Sequence, residues 1–158
     1  MVRYRYPPPT PSAPPVAAES AIEGWTHGTA ASVDIYSAEA GRAALRTFFR
    51  IAEAWKLRGP EQKTLLGLTA DSTYYVWKRG ESGPLAKDTL ERLSYVFGIY
   101  QALQLLLPTP GAADAWIRKP NDAPMFGGKS ALERMLAGHV ADLYEVRRYL
   151  DAQRGGWS

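Results

Sequence analysis

The stretch Trp116–Gly138, WIRKPNDAPMFGGKSALERMLAG, decides how this chain is read. Pro120 and Pro124 lack an amide donor and disfavour helix in the residue before them, so Lys119 to Ala123 form an irregular connection. Phe126 stands beside Gly127 and Gly128, and glycine reaches backbone angles closed to other residues, so a bulky apolar side chain is expected next to a bending pivot. Ser130 and Glu133 have the S-x-x-E spacing of a capping box, whose hydroxyl and carboxylate satisfy free amides of a first helical turn. A helix is therefore expected to open at Ser130.

Gly128, Lys129 and Ser130 also reproduce the end of the phosphate-binding pattern G-x-x-x-x-G-K-S/T. Ala123 occupies the place of its first glycine, Pro124 follows, and no β-branched run supplies the strand that should precede it. The stretch is read as an aromatic turn feeding a capped helix, not as a nucleotide site.

Working outward, Pro108 and Pro110 precede a short helix expected to carry Trp116 and Ile117. On the other side Gly138 is expected to split the final helical region, whose second part, from about His139, aligns Val140, Leu143, Val146 and Leu150 before the tail RGGWS. Further upstream, Leu45, Phe48, Ala52 and Trp55 recur every three or four residues with Arg42, Arg46, Arg50 and Glu53 between them, the pattern of an amphipathic helix from Ser37. Gly59 and Pro60 end it and start another, which stops at Gly67. Thr69 or Asp71 is placed to cap a third helix reaching about Lys78. The run LAKDTLERLSYVFGIYQALQLLL then predicts a fourth helix, bent or interrupted at Gly98. No stretch alternates with the period of a strand, so the chain is assigned to the all-α class.

Six of the twelve prolines fall in the first fifteen residues, so residues 1–36 read as a disordered or polyproline arm. Residues 37–108 and 109–158 then form two helical domains. No apolar run approaches the roughly 20 residues needed to cross a bilayer, and there is neither a leader pattern nor any cysteine, so a cytoplasmic chain without disulfides is expected. The net charge of +3 divides as −1 before Ser37, +3 from Ser37 to Pro108 and +1 beyond, which permits nucleic-acid binding, the more so if a dimer doubles the surplus.

From Pro60 to Gly80 the order short helix, glycine turn, helix is that of a helix-turn-helix, which lays its second helix in a DNA major groove. Its candidate reading face holds Ser72, Thr73, Tyr75, Lys78 and Arg79; the hydroxyls suit phosphates or base edges and the cations suit phosphates, while Trp77 is assigned to the core. An ordinary helical corner with a solvated polar face has the same spacing. Catalytic material is thin: His27 falls in the arm, His139 beside Gly138, and no carboxylate pair or ligand cluster is set apart. Neither an enzyme, nor a metal, nor a cofactor is expected.

EQKTLLGLTADSTYYVWKRG with its continuation LAKDTLERLSYVFGIYQAL resembles the helix-turn-helix domain of Xre/ParS/MbcA-type antitoxins, and WIRKPNDAPMFGGKSALERMLAGHVADLYEVRRYL resembles their C-terminal toxin-binding domain. Trp116, Pro120, Asn121, Phe126, Gly127, Leu132 and Gly138 follow the family's order. The resemblance implies an antitoxin encoded with a RES-domain toxin that consumes NAD or transfers ADP-ribose from it. Such an antitoxin forms an oligomer, here a dimer through the helix-turn-helix domain, occludes the toxin's active site and represses its own operon by binding operator DNA. The toxin-binding residues implied are Trp116, Asn121, Phe126, Gly127, Gly128, Arg147, Arg154 and Trp157, with the tail from Arg154 reaching the toxin's NAD site. Gly67 to Trp77 is one residue longer than the common turn-plus-helix spacing, which makes base contacts less secure than toxin binding and offers dimerisation as the alternative main use of this domain. A free-standing helix-turn-helix regulator with a C-terminal sensing or dimerisation domain, and an enzyme with a cryptic site, are the other readings.

Overall fold

The computed structural model describes residues 33–155; most of the expected proline-rich arm, His27 and Trp157 lie outside the described residues. Among the described residues there are seven helices and no strand, as the all-α reading expects. They are α1 (Ala38–Ala54), α2 (Gly59–Leu66), α3 (Asp71–Lys78), α4 (Lys87–Leu106), α5 (Ala112–Trp116), α6 (Ala131–Met135) and α7 (Val140–Gly155). None is long and apolar enough to cross a membrane.

Local chemistry explains most boundaries. Ser37 caps α1 by accepting the Ala40 amide at 3.1 Å, and α2 closes on Gly67 in the left-handed region at φ 71°. The start of α3 departs from the sequence expectation, because neither Thr69 nor Asp71 caps it. Ala70 stands at the N-cap without a side-chain bond, while the Asp71 carboxylate pairs with Lys63 across the turn. Asp71 is the first residue of the helix, one position past the cap, and its carboxylate faces the charge partner on α2.

The second departure concerns Gly98, which does not interrupt the fourth helix: α4 runs unbroken for 20 residues. Its missing side chain is replaced by a neighbour. A Cβ on Gly98 would lie 1.2 Å from Arg147 Nη1, so the guanidinium of α7 rests directly on the α4 backbone. Arg147 is held there by Asp151 one turn on, at 2.8 Å.

The core runs through both halves of the sequence. Leu45, Phe48, Ala52 and Trp55 of the α1 stretch are all buried, together with Leu65, Leu93, Ile99, Leu103, Ile117, Leu143, Val146 and Leu150. Residues from Asp34 onward form one compact unit. Its spine is α4, which packs most extensively on α7 and also meets α1, α2 and α5. Trp77, assigned to the core, is half-buried against it.

Alanine is favoured over glycine inside a helix by roughly 0.5–1 kcal/mol, yet Gly98→Ala must evict Arg147. The gain is therefore expected only in an Arg147→Ala background, with the parent background showing none or a loss. A double-mutant cycle on denaturant midpoints checks this coupling.

Candidate functional surfaces

Residues 117–130 form a loop tied on both sides. Asn121 donates its amide to Lys129 O at 3.1 Å and accepts the Gly128 amide at 3.0 Å, and the Leu132 amide reaches Ile117 O at 2.8 Å. The Asn121 side chain is half-buried and accepts the Ala123 amide at 2.9 Å, so it organises the loop from within. Gly127 and Gly128 hold φ 57° and 82° with open space where a Cβ would be. These glycines serve the left-handed backbone of a closed turn, and the expected bending pivot is a fixed corner. The capping box forms as read: Ser130 N donates to Glu133 Oε2 at 2.7 Å, and Glu133 N to Ser130 Oγ at 3.1 Å. Hydrogen bonding to its carboxylate by the Ser130 backbone amide first, and by the Ser130 side chain second, lowers the Glu133 pKa. Arg134 fastens the loop to α7 by donating to Met125 O and to Asp142.

Trp116 and Phe126 come together, joined by a residue the sequence reading passed over. The Tyr149 ring stacks on Trp116 (centroids 6.5 Å apart, 18° between planes) and meets the Phe126 ring edge-on at 5.1 Å. Phe126 is 4% exposed, so in this conformation it supports the cluster from below. Trp116 and Tyr149 are half-buried and reach the surface. Two shallow hollows meet at Tyr149, one shared with Trp116 and bordered by Leu103, Leu106, Leu107 and Gln153, the other mainly apolar and bordered by Ala123, Pro124 and Met125 and the α7 residues Glu145, Arg148 and Ala152. Leu105, 58% exposed, extends the apolar character along α4. Of the other implied toxin-binding residues, Arg147 is engaged at Gly98, and exposed Arg154 lies 3.8 Å from Asp151 near the end of α7.

On α3, Ser72, Tyr75, Lys78 and Arg79 are exposed and Thr73 is half-buried. The two cations diverge. Arg79 pairs with Glu81 at 3.6 Å, whereas Lys78 Nζ turns towards α1, 5.7 Å from the Phe49 ring centre and 3.2 Å from the Tyr74 hydroxyl. A relay fixes this end of α3: the Tyr74 hydroxyl donates to Gln62 Oε1 at 2.7 Å, and Gln62 Nε2 donates to Leu57 O at 2.8 Å.

Two arginines bind these surfaces into one body. Arg118, just after α5, donates to Trp55 O at 3.2 Å and Lys56 O at 2.7 Å, covering carbonyls at the end of α1, and lies 3.4 Å from Glu61 on α2. Arg92 of α4 donates to Gly138 O at 3.1 Å, and its Nε stands 2.7 Å from where a Gly67 Cβ would be. The turn between α2 and α3 and the turn between α6 and α7 thus share one side chain. Sequence spacing gives no sign of either arginine's role, since their partners lie far away in the chain.

These surfaces match known domains. Residues 34–98 match the antitoxin Xre-like helix-turn-helix domain, and residues 102–156 match the antitoxin Xre/MbcA/ParS C-terminal toxin-binding domain. The chain belongs to the Xre/MbcA/ParS antitoxin family. It is also 51% identical over 114 residues to an uncharacterized protein, y4oB, of Sinorhizobium fredii, covering 72% of this chain and 86% of that one. The antitoxin carries α1 to α3 in its helix-turn-helix domain and the aromatic cluster in its toxin-binding domain, with a toxin and DNA as the partners those domains imply.

Phe126→Ala in this antitoxin is expected to cost about 3–5 kcal/mol, so any loss of toxin binding should come with a lower melting temperature. Glu61 supplies a pH test. Burial alone would raise its pKa, but the backbone amide and guanidinium of Arg58 together with Arg118 outweigh burial and lower it. A carboxylate with a depressed folded pKa stabilises the fold above its unfolded pKa, near 4.3, and loses that contribution as pH falls through the folded value. Melting temperature should therefore drop on acidification below about pH 5, and Glu61→Gln should flatten that drop.

Proposed function

We propose that this antitoxin binds a RES-domain toxin, one that consumes NAD or transfers ADP-ribose from it, and occludes its active site. The observation that carries this reading is the surface built by Trp116 and Tyr149 over buried Phe126, with a hollow on either side of Tyr149. Half-exposed aromatic rings on a rigid base give large contact area at low entropic cost, the usual make-up of an anchoring patch. The chemistry belongs to the partner, and the antitoxin contributes shape and coverage. Residues 109–158 supply the aromatic rings of this surface, with the end of α4 bordering one hollow, and residues 37–108 supply the DNA-binding surface. The tail from Arg154, with Trp157, enters the NAD site, where a guanidinium suits phosphate oxygens and an indole suits a planar ring. We further infer a cytoplasmic pair, a dimer through the helix-turn-helix domain, and repression of the operon through Ser72, Thr73, Tyr75 and Lys78 of α3 and Arg79 at its end.

Ala152→Arg and Arg148→Glu change exposed positions of α7 beside Tyr149. In co-expression with the RES-domain toxin encoded alongside, each is expected to abolish co-purification and restore NAD loss while the melting temperature stays near the parent's. Deleting residues 154–158 should leave the complex intact yet restore NAD consumption within it. Full inhibition by all three variants would move the interface elsewhere, and a chain that represses its promoter but protects against no toxin would be a free-standing regulator.

A further inference from the structure

The outward face of α1 and the end of α3 border a groove of about 240 Å³ that shares Lys78 alone with the candidate reading face and nothing with the aromatic surface. Arg46 and Arg50 stand along one wall and Lys78 on the other, over a floor of Phe49 and Trp77. Arg46 and Arg50 have no carboxylate partner among the described residues, and Lys78 is steered into the groove by the Phe49 and Tyr74 rings and the Tyr74 hydroxyl. Arg42, at one end, donates to Ser82 O at 3.2 Å. Glu53 is the single carboxylate in the lining.

From this arrangement we infer that the groove seats the phosphate backbone of duplex DNA, with Arg46, Arg50 and Lys78 as the contacting cations. The inference rests on the DNA-binding part of the proposed function and adds a second element, α1, to the contact. Charge complementarity selects the occupant. Unpaired cations over an apolar floor attract phosphates more strongly than cations in open water, because low-dielectric walls focus the field. Residues four apart on a helix rise about 6 Å, so Arg46 and Arg50 can take different phosphates of one strand rather than converge on a single ion. Lys78 joins the two contacts, since it ends α3 and faces α1. The divergence of Lys78 from Arg79 follows: one cation closes the groove while the other stays on the reading helix.

The experiment uses the full chain and a duplex carrying its promoter. Arg46 and Arg50 are exposed on α1, where alanine is a strong helix former, so the double variant R46A/R50A should fold and melt like the parent. It should bind every duplex more weakly, operator and unrelated sequence alike. With two phosphate contacts gone, its loss of affinity between 50 and 200 mM salt should be about tenfold smaller than the parent's. R46K/R50K should keep the parent's salt slope, and Glu53→Gln should tighten binding. Toxin neutralisation should be unchanged in all three. A parent that binds the promoter while R46A/R50A binds with equal affinity and salt slope overturns the groove alone. A parent that binds no duplex at all overturns the DNA-binding reading and the groove with it.

Discussion

Everything in this fold depends on covering one helix. Helix α4 carries apolar side chains on more than one face, burying Leu93, Val96, Ile99, Ala102 and Leu103. A helix with a single apolar stripe needs one neighbour, but one apolar on several sides must be surrounded. The amino-terminal helices supply part of that cover and α5 and α7 supply the rest, so two recognisable domains share one core. The close packing has a local signature at Gly98, where only the absence of a side chain lets the Arg147 guanidinium lie on the backbone.

Much of this was legible from residue spacing because the relevant physics is local. The α1 stripe, the glycine stop at Gly67, the split at Gly138 and the Ser130–Glu133 box each involve residues within about a turn or two of one another, and all four form. The misses share an opposite cause. Gly98 reads as a break only while its neighbour on α7 is unknown, and Asp71 reads as a cap only while Lys63 is not seen across the turn. Tyr149 belongs to no motif, and its role comes from the rings of Trp116 and Phe126, which lie far away in the chain. The direction of Lys78 depends on the Phe49 ring of another helix, and no motif encodes that.

The two surfaces differ in the physics they use. The α1–α3 side offers fixed positive charge with few carboxylates, suited to a partner whose charge is regular and whose binding responds to salt. The α5–α7 side offers aromatic and aliphatic area on a loop fastened by Arg134 and the capping box, suited to a partner recognised by shape. Keeping the two kinds of recognition on separate elements prevents a charged ligand from competing for the apolar patch.

Sharing α4 also governs how the molecule leaves a cell. A protein built from beads on a linker can be trimmed, losing one bead and keeping the other at work. Here, freeing either flank strips the common helix of part of its cover, and cooperative units open together. A cut that frees one flank is therefore expected to unfold the other with it, rather than leave either flank folded alone. Degradation of this antitoxin is then expected to remove both of its surfaces at once.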